Sequence, residues 1–418
     1  MKSLFPTLFL LSLAISASAD SFRYVGGDIS LLPTLEEKNV IYNDHEGNQI
    51  PKLLPYLYDQ GMNAMRVRLF VDPDNYPGSD KDENACQSLP YVIPLCQEIV
   101  ANDLDLLLDF HYSDTWADPG KQWIPEAWKN LSEDELVQKV YDYTKETLVT
   151  LKGYGVTPRF IQPGNEISYG MLWGPYGQDN PDNHVWFGSS EASWLRFGRF
   201  LRSAVKACRE ECPQAQIIIH TERVAEVDVL TNFYKQMEIL DVDYDIIGLS
   251  YYPSYHGPLS QLDKALNTVE KEFPLKPIMI VETGYPLFWD LEDSKYPLEY
   301  PLDGKTDAAQ QQYARDLVSL LLNHDRVNGL FWWALDYNPY GAEIYNWWNA
   351  PLFDPFTGRE TAALKIIASF GSGHSAVPSL PLGEQEESDQ WYDLSGRPIP
   401  TPTSPGLYIH NRRKILLP

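Results

Sequence analysis

Basic residues are scarce in this sequence of 418 residues. It has 33 Lys and Arg against 58 Asp and Glu, a formal net charge of −25 at pH 7. So large an acidic excess argues against nucleic acid or an anionic membrane as a partner. It also disfavours a strongly acidic polymer as substrate, so that a neutral one fits better.

Cysteine is almost as sparse, with Cys86, Cys96, Cys208 and Cys212. Neither sequence pair has a CxxC spacing or a nearby His, so a structural zinc site is disfavoured. Four cysteines allow three disulfide pairings, and we expect the local ones, 86–96 and 208–212, if any form.

Long apolar runs are missing apart from one at the start. Lys2 precedes the apolar run 4–15, and Ala17-Ser-Ala stands before Asp20. This pattern predicts a secretory signal peptide over 1–19, with an apolar run too short for a membrane helix. We therefore expect an exported protein, periplasmic, cell-surface or extracellular, without membrane insertion, and working as a monomer.

From residue 20 to 371, strand-like and helix-like stretches alternate, and we count eight strands. The strands are apolar runs without clean alternation, as expected where both faces of a parallel sheet are covered. The pattern predicts an α/β fold, a (β/α)8 TIM barrel forming a single catalytic domain. An open doubly wound sheet is the alternative, but no GxGxxG motif opens the first unit.

After Gly371 the composition changes. Residues 372–390 are rich in Ser, Pro, Gly and Glu, which is typical of a linker. Residues 391–418 then contain two short strand-like stretches around a Pro- and Thr-rich turn. This short β-rich tail resembles C-terminal sorting segments of some secreted proteins, and a plain β-hairpin is an equal alternative.

Polar side chains follow the predicted strands at their C-terminal ends, where a barrel places its chemistry. They are Asp28, Arg68, His111, Asp114, Glu166, His220, Tyr252 and Glu282. A ring of such residues on one rim is hard to explain by packing.

Two of these residues form the most informative pair. Glu166 follows strand 4 in Gln162-Pro-Gly-Asn-Glu166, and Glu282 ends strand 7. Strands 4 and 7 face each other across an eight-stranded barrel, so the two carboxylates can converge over its mouth. Carboxylates about 5–5.5 Å apart suit retaining glycoside hydrolysis. The alternative is two unrelated surface glutamates.

Several segments resemble glycoside hydrolase family 53, the endo-β-1,4-galactanases, over about residues 22–370. They are Gly27-Asp-Ile-Ser30, Met65-Arg-Val-Arg-Leu-Phe70, Asp109-Phe-His-Tyr-Ser-Asp-Thr-Trp-Ala-Asp-Pro119, Gly164-Asn-Glu166, Ser250-Tyr-Tyr-Pro253, Val281-Glu-Thr-Gly-Tyr-Pro286 and Gly329-Leu-Phe-Trp-Trp333. The third segment is the most specific to the family. Asn165-Glu166 with Glu282 is specific only to the wider clan of retaining barrel glycosidases.

The resemblance implies roles for the two carboxylates and their neighbours. Glu166 would be the general acid/base and Glu282 the nucleophile, whose charge raises the pKa of Glu166. Asn165 would bind the sugar 2-hydroxyl. Arg68 would hold Glu282 ionised, with Arg66 deeper on the same face. Either of two tyrosines could donate to the nucleophile, Tyr252 being preferred over Tyr251.

The same resemblance implies a substrate-binding cleft. Its expected residues are Asp28, Arg68, His111, Trp116, Asn165, Tyr252, His256 and Trp333, the last as the platform for the sugar at the cleavage point. Trp173 and Trp347 are further candidates for stacking on sugar rings. The implied substrate is the galactan or type I arabinogalactan of plant cell walls.

Other interpretations stay open at this point. Asp109, His111 and His220 could bind a metal, although strands 3 and 5 need not bring them together. Some relatives bind calcium between strands 7 and 8, but Asp290, Glu292 and Asp293 lack the ligand spacing, so we expect no metal and no cofactor. The substrate could be mannan or a β-glucan, or the protein could bind glycans without cleaving them.

Overall fold

The structure is a computed structural model of the whole chain. It describes residues 22–287, 291, 293–302, 306–338, 350–354, 357–372, 391–392, 398–399, 401–402, 406–410 and 413–417. The chain divides into two compact units, Met1–Ser375 and Ala376–Pro418. The predicted signal peptide and, apart from residue 372, the predicted linker lie outside the described residues, so those boundaries stay predictions.

The first unit contains a closed barrel of eight parallel strands. They are β1 (Tyr24–Asp28), β2 (Ala64–Leu69), β3 (Asp105–Phe110), β4 (Phe160–Pro163), β5 (Gln216–Thr221), β6 (Ile246–Tyr251), β7 (Ile278–Thr283) and β8 (Val327–Trp332). Closure comes from the pairing of β1 with β8, in register Tyr24 to Gly329. The predicted (β/α)8 fold is confirmed, and the open doubly wound sheet is wrong.

Helices connect the strands. They are α1 (Leu32–Glu37), α2 (Leu53–Asp59), α3 (Leu89–Ala101), α4 (Glu133–Gly153), α5 (Glu191–Glu211), α6 (Val227–Ile239), α7 (Pro253–His256), α8 (Leu259–Glu272), α9 (Ala308–Leu322) and α10 (Ala362–Ala368). The capping box at the start of α4 is present, with the Ser132 side chain accepting from Glu135 N and Glu135 accepting from Ser132 N.

Apolar side chains fill the part of the barrel interior that lies below the C-terminal ends of the strands. All eight strands contribute to this plug, which consists of Tyr24, Ala64, Leu107, Phe160, Ile218, Ile246, Met279, Val281 and Phe331. A separate and larger apolar cluster involves strand and helix side chains together. Because strand side chains alternate between faces, residues two and four places after Ala64 also point inward, and these are Arg66 and Arg68. The plug therefore supports a polar layer at the C-terminal ends of the strands.

The expected disulfides are wrong, because all four cysteines are free thiols. Cys208 ends up four residues before Cys212, at the end of α5. Residues one turn apart on a helix have Cβ atoms about 5–6 Å apart, whereas a disulfide needs about 3.8 Å. Cys86 instead lies 3.8 Å from Thr34 Oγ1, and Cys96 is buried within α3.

In the second unit the structure describes a four-stranded antiparallel sheet, where we predicted two strands. Its strands are Trp391–Tyr392, Pro398–Ile399, Gly406–His410 and Arg413–Leu417, and the last two form a five-residue ladder. Among the described helices of the whole chain, none combines the length and apolar character needed to span a bilayer.

Candidate active site

A cavity of about 480 Å³ opens at the C-terminal ends of the barrel strands. Its wall includes eight residues that the sequence had nominated, namely Arg68, Trp116, Asn165, Glu166, Tyr252, His256, Glu282 and Trp333. Glu166 and Glu282 therefore share one cavity, as the placement of β4 and β7 predicts.

Glu282 is aimed into the cavity by an irregularity in β7. Between β6 and β7 the register advances from Leu249–Ile280 to Ser250–Glu282, so that Val281 is an extra residue. Bulges of this kind redirect a side chain next to a site. Glu282 is 5% exposed, and both of its oxygens have partners. Arg66 Nη2 lies 2.9 Å from Oε1, and Tyr252 Oη donates to Oε2 at 2.9 Å.

The cation beside Glu282 is Arg66, which corrects the assignment of that role to Arg68. Arg66 Nη2 also lies 2.7 Å from Asp109 Oδ2 and donates to Asn165 Oδ1 at 2.8 Å, and Nη1 lies 3.2 Å from Asp28 Oδ2. Burial acts to lower the pKa of Arg66, but Asp109, Glu282 and Asp28 hold that pKa above its usual value. The deeper of the two inward arginines is thus the one that reaches β7.

Arg68 has a different role in the cavity wall. Its Nη1 lies 2.7 Å from Asp28 Oδ1. Its guanidinium carbon is 4.7 Å from the ring centroids of both Trp116 and Trp333, a cation–π arrangement with each ring. Trp116 is further fixed by donating from Nε1 to Asp82 Oδ2 at 2.9 Å. Arg68 therefore holds two tryptophan rings in the wall.

Glu166 has left-handed backbone dihedrals, with φ 46° and ψ 51°. The preceding Gly164 also has a positive φ, of 107°. Positive φ is unfavourable for a residue with a Cβ, so this short bend is strained at the residue that it displays. The bend ends β4 and turns the Glu166 side chain into the cavity.

A serine hydroxyl contacts the Glu166 carboxylate. Ser250 Oγ donates to Oε1 at 2.6 Å. Ser250 Oγ lies 2.8 Å from His220 Nε2, and Glu166 N donates to His220 Nδ1 at 3.3 Å. Because the Nδ1 atom faces this N–H, we assign the His220 proton to Nε2, which then donates to Ser250. Burial and the nearby Arg66 lower the pKa of His220 well below its usual value, so the ring is neutral.

The two carboxylates differ in how strongly their surroundings favour the protonated form. Burial, followed by the charges of Glu282 and Glu222, raises the pKa of Glu166 well above its usual value. Burial also raises the pKa of Glu282, but Arg66 and the Tyr252 hydroxyl oppose that rise. Glu282 therefore loses its proton first as the pH rises, and Glu166 keeps its own to higher pH.

Asn165 is fixed by contacts from two sides. Its Oδ1 accepts from Arg66, and its Nδ2 donates to Ala117 O at 2.9 Å. The amide nitrogen carries two protons, so one remains for a ligand. Asn165 lies in the cavity wall and is 5% exposed, consistent with a single open side.

Three of the residues nominated for the sugar-binding cleft lie away from the cavity wall. Asp28, 1% exposed, sits one layer deeper between Arg66 and Arg68. His111, 2% exposed, packs beside Trp116 with Nε2 3.1 Å from Asp109 Oδ2. These positions correct the expectation that Asp28 and His111 line the sugar-binding cleft. Trp173 is buried with its ring 3.8 Å from that of His184, and Trp347 lies outside the described residues.

The metal alternative is not supported by the contacts of its residues. Asp109 Oδ2 is taken by Arg66, and Gln162 Nε2 stands between Asp109 Oδ1 at 2.6 Å and His220 Nδ1 at 3.1 Å. Within the described part of the chain, no group of three His, Cys, Asp or Glu could hold a metal ion. Asp290 and Glu292 of the segment considered for calcium lie outside that part.

Among the wall residues that were not predicted from the sequence are the neighbours Glu222 and Arg223. Glu222 directly follows β5, the same position relative to its strand as His111 after β3. The strand continues to Thr221, one residue beyond the strand-end residue His220 named above, so Glu222 escaped the strand-end rule.

Comparison with known proteins assigns the chain to a family. The protein-family model described as glycosyl hydrolase family 53 matches residues 24–367 of this chain. The chain belongs to that family. It is accordingly a glycoside hydrolase, with the expected barrel.

The chain is also similar to named enzymes. An endo-beta-1,4-galactanase of Bacillus subtilis is 26% identical over 90% of this chain and 83% of its own. An arabinogalactan endo-beta-1,4-galactanase of Thermothelomyces thermophilus is 30% identical over 75% of this chain and 89% of its own. Among solved structures, the Ignisphaera aggregans GH53 catalytic domain has a TM-score of 0.69 and 31% identity, covering 82% of this chain and 94% of that one.

Proposed function

We propose that this protein is an exported, retaining endo-β-1,4-galactanase that cleaves the galactan or type I arabinogalactan of plant cell walls. The observation that carries the proposal is the pair Glu166 and Glu282. They stand at the ends of β4 and β7 in one cavity, and burial raises the pKa of both, but Arg66 and Tyr252 oppose that rise at Glu282 alone. An acid and a base with separated pKa values are what double displacement at a glycosidic bond needs.

In the first step, ionised Glu282 attacks the anomeric carbon of the sugar while the bond to the leaving oxygen breaks. Glu166 transfers its proton to that oxygen, so the shortened chain departs as a neutral alcohol. Arg66 and Tyr252 hold the Glu282 carboxylate before the attack. The product of this step is a glycosyl ester of Glu282 and a Glu166 carboxylate.

In the second step, Glu166 removes a proton from water, which attacks the same carbon and releases Glu282. Formation of the ester removes the Glu282 charge, which is one cause of the raised pKa of Glu166. The pKa of Glu166 therefore falls when that residue has to act as a base. Two inversions at one carbon give net retention.

The proposed substrate assignment rests on the wall and on the relatives. Trp333 and Trp116 offer aromatic surface for stacking on a pyranose, and Asn165 offers an N–H for its 2-hydroxyl. The net charge of −25 favours a neutral polymer. Two relatives described above are named for β-1,4-galactan cleavage, which favours galactan over mannan or β-glucan.

Hydrolysis of linear β-1,4-galactan, β-mannan and β-glucan by the mature chain tests this proposal. We expect release of short galacto-oligosaccharides from galactan, with the first product in the β configuration by NMR. A Glu166→Gln, Glu282→Gln double variant serves as the inactive control. No release from galactan would overturn the substrate, and an α product would overturn the retaining mechanism. Amino-terminal sequencing of the exported protein should begin at Asp20.

A further inference from the structure

One corner of the cavity holds two buried polar atoms that have no hydrogen-bond partner among the described residues. They are Oε2 of Glu222 and Nη2 of Arg223. Both residues belong to the cavity wall, and their side chains are 8% and 12% exposed. Buried polar atoms without partners are costly, so a ligand that supplies a donor and an acceptor would relieve the cost of both.

The two side chains are held in place by the segment that follows Glu166. Ser168 Oγ donates to Glu222 Oε1 at 2.6 Å, and Arg223 Nε donates to Ser168 Oγ at 3.1 Å. Arg223 Nε also lies 2.9 Å from Glu222 Oε1, and its guanidinium carbon is 4.0 Å from the Tyr169 ring centroid. Oε1 of Glu222 is thus bound by Ser168 and Arg223, whereas Oε2 is available to a ligand.

The position of this corner relative to Glu166 indicates which sugar would meet it. A general acid must lie beside the oxygen that leaves. Ser168, two residues after Glu166, joins the Glu222–Arg223 pair to the acid side of the cavity. Trp116 and Trp333 come instead from the chain after β3 and β8.

We propose that Glu222 and Arg223 bind vicinal hydroxyls of the sugar on the leaving-group side of the scissile bond. This inference rests on the proposed function. A carboxylate accepts and a guanidinium donates, so the pair matches one donating and one accepting hydroxyl of a neutral pyranose. The leaving sugar would then be placed with its oxygen at Glu166.

The test compares substrates that share a glycone and differ only in what leaves. A β-1,4-galacto-oligosaccharide has a leaving sugar, whereas methyl and 4-nitrophenyl β-1,4-galactobiosides have none. The methyl glycoside still needs Glu166 as acid, and the nitrophenyl glycoside needs it far less. We expect Glu222→Gln to lower kcat/KM on the oligosaccharide about tenfold to a hundredfold, as for loss of a hydrogen bond to a charged group. At a pH on the acidic side of the basic limb, Glu166 stays protonated even without the Glu222 charge that raises its pKa, and both galactobiosides should there keep wild-type kcat/KM.

Two other variants keep the result interpretable. Arg223→Lys retains the charge without the planar fork, and it should show the same selective loss even if Glu222→Gln folds poorly. Glu238→Gln removes an exposed carboxylate on α6 and should match the wild type.

Three outcomes would overturn the inference. Equal loss on all three substrates would show that the pair is structural or binds only water. Loss on the methyl glycoside as well as the oligosaccharide would show that Glu222 acts through Glu166. An unchanged kcat/KM on every substrate would show that Glu222 and Arg223 do not bind the leaving sugar.

The proposed function is judged separately, by the wild-type chain on galactan. If the wild type instead cleaves another β-1,4-glycan, the matched glycosides of that glycan give the same comparison.

Discussion

Tyr252 Oη donates to Glu282 Oε2 at 2.9 Å, on the side of the carboxylate away from Arg66. The preceding residue, Tyr251, instead donates to Gly257 O at 2.9 Å and is fully buried. The structure thereby resolves the choice between the two tyrosines that the sequence left open.

Tyr252→Phe should shift the acidic limb of the pH–rate profile to higher pH. The Tyr252 hydrogen bond lowers the pKa of Glu282, so its loss raises that pKa, and Glu282 stays protonated to higher pH. The profile of kcat/KM on galactan measures the shift. Tyr251→Phe is the matched control, expected to cost stability by about 1–3 kcal/mol through the unpaired Gly257 carbonyl and to leave the limb in place. An unshifted limb in Tyr252→Phe would contradict the proposed role.

Ser250→Ala should move the basic limb in the same direction, also to higher pH. The Ser250 hydroxyl stabilises the charged form of Glu166 and so lowers its pKa. Without the hydroxyl the pKa of Glu166 rises, and the acid keeps its proton over a wider range. Ser254→Ala is a suitable control, since the buried Ser254 Oγ has no hydrogen-bond partner among the described residues. A basic limb that moves to lower pH would count against Glu166 as the acid.

Arg66→Met should destabilise the protein far more than Arg68→Met. Arg66 is the ion-pair partner of Asp109 and Glu282, and removing one member of a buried pair costs about 3–5 kcal/mol. Arg68 pairs with Asp28, which would keep Arg66 as its second partner. Urea unfolding of both variants gives the comparison. Equal midpoints would argue against the central position of Arg66.

Acid should destabilise the wild type partly through His256. Burial, with the charges of Lys295 and Arg223, lowers the pKa of His256 to about 3. A depressed pKa gives a stability contribution that is complete above the unfolded value of about 6.5 and declines as the pH falls toward 3. His256→Asn should therefore show a shallower fall of Tm between pH 6.5 and 4. An unchanged slope would place the acid sensitivity elsewhere, for example at His220.

The sequence was sufficient for the barrel because each strand carries its own signal. Apolar runs separated by stretches with helical spacing predicted all eight strands of the barrel. Helix α6 was missed although Leu230, Tyr234 and Met237 recur at helical spacing and are buried. Polar residues on the outer face of α6 obscured the helical periodicity of its apolar residues.

The sequence predicted which residues belong to the site, but it did not predict which of them contact each other. Alternation along β2 placed Arg66 and Arg68 on one face, but nothing in a single strand says which of them reaches β7. That choice depends on the extra residue Val281 in β7, which shifts Glu282 along its neighbours. Because the disulfides also depended on distance rather than on residue type, that expectation failed for the same reason.

The left-handed backbone at Glu166 has a consequence for natural variants and for engineering. Glycine and asparagine accept such dihedrals more readily than glutamate, and strained conformations persist at sites that function maintains. Replacing Glu166 by glycine or asparagine should yield an inactive protein that melts at a higher temperature than the wild type. Selection for thermal tolerance alone would therefore favour variants that have lost catalytic activity. Activity must be screened alongside stability at every round of selection.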